Sequence, residues 1–205
     1  MIPDCFFEGA KVSELISSFI AFDIETFSPY GFPSNMEAPV VNFSLVIPLP
    51  RKGILSLSVI GEPCLESQML NLLHRLLESF RGSYLFTYNG TKFDIEYVIQ
   101  RGKAYELDFR DVFEGFWHID VYRLLKLCGI HLPGYAQKGV ERFFGIPRVI
   151  NDVSGRVYHM FYREFLKVGS LKPMFYNIED SFGCLRILNM ILKSREKELI
   201  SQFFI

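Results

Sequence analysis

Phe19-Ile20-Ala21-Phe22-Asp23-Ile24-Glu25-Thr26 is an apolar run that closes on two acids. Its aromatic and β-branched content predicts a strand. Residues two apart in a strand point to the same face, so Asp23 and Glu25 share one side while Phe22 and Ile24 share the other. Neighbouring carboxylates repel, and burying one against a sheet is costly unless something pairs with it. A hard divalent cation with a preference for oxygen, Mg²⁺ or Mn²⁺, would satisfy both. A strand that merely ends in a polar turn is the plainer reading, and Asp-x-Glu by itself does not separate the two.

Outward from this strand, residues 26–39 hold Pro29, Gly31, Pro33 and Pro39 and read as an irregular loop. Residues 40–47 and 54–60 are β-rich, with Pro48, Pro50 and Gly53 between them, and make an antiparallel set with the first strand. Leu65, Met69, Leu72, Leu73, Leu76, Leu77 and Phe80 recur at helical spacing and predict a helix over 65–80. A buried strand at 84–88 follows. Asn89-Gly90 then turns the chain, and Thr91 is positioned to cap a helix reaching about Gly102. Residues 112–120 read as strand, 121–128 as helix, 134–144 as helix and 145–156 as loop. Residues 159–168 are a further helix, and Pro173 opens a last long helix through about Lys193. Strands and helices in this order predict an α/β sheet of mixed direction flanked by helices, with the Asp23 strand at its centre.

Two further groups carry chemistry. In Asn89-Gly90-Thr91-Lys92-Phe93-Asp94, Asp94 falls in the first turn of a helix, where free N–H groups stabilise a carboxylate. Thr91 and Asp94 could equally be plain helix caps. In Tyr176-Asn177-Ile178-Glu179-Asp180, Tyr176 and Asp180 lie four apart and share a helix face. A core tyrosine beside a solvated aspartate would look the same.

Taken together and in this order, Asp-x-Glu, Asn-x-x-x-Phe-Asp and Tyr-x-x-x-Asp resemble the motifs of the DEDD (DnaQ-like) superfamily of 3′→5′ exonucleases, in the subgroup with tyrosine in the third motif. The resemblance is nearest to the proofreading exonuclease domain of family B DNA polymerases. There Asp23-Ile24-Glu25-Thr26 would be the first motif and Asn89, Phe93 and Asp94 the second. His118-Ile119-Asp120-Val121 and Tyr135-Ala136-Gln137-Lys138 look like degenerate forms of intervening motifs. The resemblance covers about residues 19–192 and implies a ribonuclease H-like fold as a freestanding exonuclease domain over 1–192. Residues 193–205 would be the end of the last helix and a tail.

The resemblance also implies roles. Asp23, Glu25, Asp94 and Asp180 would hold two divalent ions, Mg²⁺ or Mn²⁺, and Tyr176 would orient the attacking water. A free tyrosine titrates near ~10 and is a poor base at neutral pH. Thr26, Phe27, Asn89 and Phe93 lie beside the acids and would meet the terminal nucleotide of a single strand, with aromatic rings as stacking platforms. Phe93 would serve as well in the core. Lys138, Arg142 and Arg148 could follow phosphates, or simply form a solvated helix face. The expected activity is 3′→5′ hydrolysis of single-stranded or frayed DNA. The alternatives are the same site trimming RNA, or an inactive nuclease fold used as a binding subunit.

Composition bounds these expectations. In 205 residues, 49% hydrophobic and 22% charged content predicts a globular domain with a sizeable core, and 21 Phe leave aromatic surface for a ligand. A net charge of −1 argues against holding long nucleic acid by charge alone. Cys5, Cys64, Cys128 and Cys184 are too scattered for a zinc knuckle or a disulfide framework. With no signal-peptide pattern and no apolar run of membrane length, an intracellular, cytoplasmic protein is expected. The C-terminal stretch Ile200-Ser201-Gln202-Phe203-Phe204 resembles peptides that dock on sliding clamps, although Lys197 stands where those peptides usually carry glutamine. Packing of those rings on the domain itself is the other reading.

Overall fold

The computed structural model describes residues 19–31, 33, 36–49 and 53–203, with side chains described as far as Ser194. Five strands form one sheet: β1 (Phe19–Thr26), β2 (Val40–Leu49), β3 (Gly53–Ile60), β4 (Tyr84–Thr87) and β5 (Trp117–Asp120). Their order is β3-β2-β1-β4-β5, so β1 is central as expected. β2 and β3 run antiparallel as a meander, while β4 and β5 join parallel to β1. Seven α-helices flank the sheet among the described residues. They are α1 (Glu66–Glu78), α2 (Asp94–Lys103), α3 (Phe109–Glu114), α4 (Val121–Leu127), α5 (Gln137–Phe143), α6 (Tyr158–Val168) and α7 (Lys172–Phe203).

Alternation along β1 divides the interior. Ile20, Phe22 and Ile24 enter a core built with α1, α2 and α3, around Leu70, Leu73, Leu77, Tyr97, Val98 and Phe109. Phe19 and Ala21 face the other way, into a core with Val121, Leu125, Val140, Cys184, Ile187, Leu188 and Ile191 of α4, α5 and α7. Asp23 and Glu25 continue this second face toward the polar end of α7. Each fully buried Leu or Phe contributes roughly 1.5–3 kcal/mol, so β1 is clamped from both sides.

Four boundaries differ from the sequence expectation. Residues 112–120 are not one strand. Phe109, Val112 and Phe113 are buried at helical spacing in α3, and the Asp108 side chain caps it by accepting from Asp111 N–H. The strand begins only at Trp117. Thr91 does not cap α2, whose preceding residue is Phe93; its hydroxyl donates to Asp120 instead. Finally, α5 starts at Gln137, and α7 runs well past Lys193. No helix among the described residues is long and apolar enough to cross a membrane.

Candidate metal centre

The acids converge because α7 packs across the face of β1 that carries them. In the antiparallel ladder Asp23 stands opposite Ser44. Ser44 Oγ donates to Asn177 O at 3.0 Å and lies 2.7 Å from Ser181 Oγ. Asn177 Nδ2 in turn donates to Asp23 Oδ2 at 2.6 Å. These polar contacts hold the third motif over the first. One oxygen each from Asp23, Glu25 and Asp180 lies within 4.8 Å of the others.

Asp94 stands outside this triad. The β1–β4 ladder ends at Ala21 and Phe86 because the chain turns at Asn89-Gly90. Ile24 N–H is thereby left without a strand partner, and Asp94 Oδ1 accepts it at 3.1 Å. The turn is tight: Asn89 has φ 61°, and a side-chain carbon at Gly90 would land on Thr87.

Burial and mutual repulsion set the electrostatics. Loss of solvent raises Asp23 well above the ordinary carboxylate range, and Asp94, Asp180 and Glu25 raise it further, against the Asn177 hydrogen bond. Glu25 is raised by burial, then by Asp180 and Asp94. Burial pushes Asp94 up to about 7, opposed by the Ile24 N–H. Asp180 is raised by burial and opposed by Arg148. Among the described residues no Lys or Arg pairs with Asp23, Glu25 or Asp94. Asp23, Glu25 and Asp180, of which Asp180 alone meets a basic side chain, form an all-oxygen set of the kind that suits Mg²⁺ or Mn²⁺, so these residues fit a divalent ion.

Tyr176 is both a core residue and a site residue. Its ring packs 6.2 Å from that of Tyr158, and its hydroxyl lies in the field of the Asp180 carboxylate. Burial, then Asp180, pushes the phenol far above its ordinary value, so it stays protonated. Thr26 is buried beside Tyr97, whose hydroxyl donates to Ala38 O at 2.7 Å. Phe27 is half-buried, 5.1 Å from Tyr162, with the Arg163 guanidinium 5.9 Å from its ring. Asn89 is half-buried and donates its N–H to Asp120 Oδ1 at 2.9 Å. Phe93 is half-buried against the α1–α3 core, 5.0 Å from Tyr97. Ile200 and Phe203 have side chains outside the described residues, and Phe204 lies outside them altogether.

The solvated helix face expected for Lys138, Arg142 and Arg148 is found only at Arg142. Arg148 lies in the 145–156 loop with its side chain 4% exposed and bridges Glu141 and Asp180. Lys138 Nζ donates to the carbonyls of Ile150, Asn151 and Val153 and sits 5.1 Å from the Tyr176 ring centre. Three residues of the site escape sequence reasoning. Asn177 was visible as a polar residue at a buried helix position, which needs a partner. Asp120 was visible as a helix-opening acid, but not as the clasp that also binds Asn89 and Thr91. No local pattern marks Arg148.

The family model RNase_H_2, described as RNase_H superfamily, matches residues 20–191. A search of curated proteins finds no match. Among solved structures, the family B DNA polymerase from the hyperthermophilic archaeon Pyrobaculum calidifontis is similar, with a TM-score of 0.63 and 17% identity over 80% of this chain. The match covers 23% of the polymerase chain, and at this identity it speaks to the fold alone.

Proposed function

Because this chain belongs to the RNase_H superfamily, we propose that it is a divalent-metal-dependent 3′→5′ exonuclease acting on single-stranded or frayed DNA ends. The observation that carries the reading is the meeting of Asp23, Glu25 and Asp180 oxygens within 4.8 Å, drawn from two elements far apart in the chain. The three acidic motifs, which resemble those of proofreading exonucleases, favour DNA as the substrate.

Asp23, Glu25 and Asp180 would hold one ion, and Asp94 would join Asp23 in holding a second. Bound Mg²⁺ or Mn²⁺ supplies a nucleophilic hydroxide at neutral pH and charge relief for the leaving 3′ oxygen. The chain's own residues supply position. Asn177 fixes the direction of Asp23 through one of its oxygens. The phenol of Tyr176 stays protonated beside Asp180, and its oxygen is an acceptor able to orient a water. With its proton so firmly held, Tyr176 orients and does not act as the base. Phe27 and Phe93 would flank the terminal base, Thr26 would border it, and Asn89 would hydrogen-bond the terminal nucleotide.

The test is hydrolysis of 5′-labelled oligonucleotides. Stepwise shortening with Mg²⁺ or Mn²⁺, none with chelator, and none by Asp23→Asn are expected. Undiminished cleavage by Asp23→Asn would overturn the reading. Matched DNA and RNA strands decide which sugar is accepted.

A further inference from the structure

Among the described residues, Arg148 is the one arginine whose side chain reaches the triad. Its Nη1 donates to Asp180 Oδ1 at 2.6 Å and to Glu141 at 3.0 and 3.2 Å. Its Nε lies 3.5 Å from Glu179 Oε2. The guanidinium carbon sits 5.4 Å from the centre of the Tyr176 ring. One side chain from a loop thus touches both signature residues of α7, Asp180 and Tyr176, while remaining 4% exposed itself. At that burial it does not meet a substrate phosphate.

A buried arginine needs a carboxylate, and Glu141, 1% exposed, already provides two oxygens. Its Nε and Nη2 find no hydrogen-bond partner among the described residues, so the fold gives up two buried donors to set Nη1 between Glu141 and Asp180. The fold makes room for it: a side chain at Gly183 of α7 would collide with Glu141 and Gln137 of α5. Gln137 closes the same corner by donating to Asp180 O at 2.6 Å. An ionised carboxylate offers about four acceptor positions. The bond from Arg148 leaves Asp180 able to bind a cation while fixing its rotamer.

We propose that Arg148 is a positioning residue: it acts through Asp180 and Tyr176 to hold them in the orientation that receives a divalent cation. The inference rests on the reading of Asp23, Glu25 and Asp180 as a metal centre. All three hydrogen bonds leave from Nη1, so what sets arginine apart is its reach and the flat guanidinium lying over the Tyr176 ring, which a shorter lysine ammonium restores in charge but not in shape.

The experiment is Mn²⁺ titration by calorimetry of the full chain, of Arg148→Gln, of Arg148→Lys and of Arg142→Gln as an exposed control, with folding checked by circular dichroism. Loss of a group that orients a metal ligand weakens affinity by about 10–100-fold. We expect a loss of that size in Arg148→Gln, a loss of about tenfold in Arg148→Lys, and no change in Arg142→Gln. A staple that only stabilised the fold would lower the melting temperature and leave Mn²⁺ affinity in the folded protein unchanged. Folded Arg148→Lys or Arg148→Gln binding Mn²⁺ as tightly as wild type, or more tightly, overturns the inference while cleavage by wild type leaves the exonuclease reading intact. A wild-type chain that binds no Mn²⁺ overturns the metal-centre reading and this inference with it.

Discussion

Asn177 and Asp23, 154 residues apart in the chain, are joined by a 2.6 Å hydrogen bond from amide to carboxylate. Asn177 is fully buried, and the bond sets which way Asp23 turns. Asn177→Ala leaves that carboxylate without its donor. It should cost about 1–3 kcal/mol of stability and lower cleavage by about tenfold or more. Urea unfolding and single-turnover cleavage measure the two losses separately.

Removing one acid of the triad should stabilise the metal-free fold, since like charges buried together oppose it. Asp23→Asn is expected to melt higher than wild type in chelator, by about 1 kcal/mol or more, and to lose the stabilisation that wild type gains from Mn²⁺. Thermal unfolding with and without Mn²⁺ reads both effects. A variant that melts lower in chelator would contradict the electrostatics described here.

Stability should also depend on pH in a direction that the site dictates. A carboxyl raised in the folded state holds more protons there than in the unfolded chain, so stability falls as pH climbs between the two values. Asp94 moves from 3.8 to about 7, and Asp23 and Glu25 are raised as well. Without metal, the contribution of Asp94 is most favourable below 3.8 and is lost as pH passes through about 7, and Asp23 and Glu25 act in the same direction. Melting at pH 5 and pH 8 in chelator tests this; Mn²⁺ should recover the loss at pH 8.

Tyr176→Phe keeps the ring against Tyr158 and beneath Lys138 and Arg148 but removes the hydroxyl. If the oxygen orients water, kcat should fall by about 10²-fold with KM and Mn²⁺ affinity little changed. Equal kcat in the two proteins would assign the tyrosine to packing alone.

The parts of this fold that were legible were those fixed by local pattern. The β1 sequence carries its own alternation, and the heptad-like leucines of α1 carry theirs. The central place of β1 followed from its acids needing partners on both sides, which the sheet order bears out. Residues 112–120 were misread because Val112, Phe113 and Phe116 suit a strand as well as a helix. Only the Asp108 cap, and burial of Phe109 on the same face, select the helix. Within the site, Asp23, Glu25, Asp180 and Tyr176 stood out because their spacing is short and regular. Arg148 and the clasp of Asp120 did not, because their meaning lies wholly in contacts between distant segments.

Asp120 ends β5, a four-residue strand at the rim of the sheet whose first residue, Trp117, is 68% exposed. From there it grips the backbone N–H groups of Asn89 and Thr91, the turn that delivers Asp94. Short outer strands open at lower free energy than the whole fold. Fraying at this rim would slacken the turn while the two cores stayed shut, so on heating the proposed cleavage should be silenced some degrees before the protein melts.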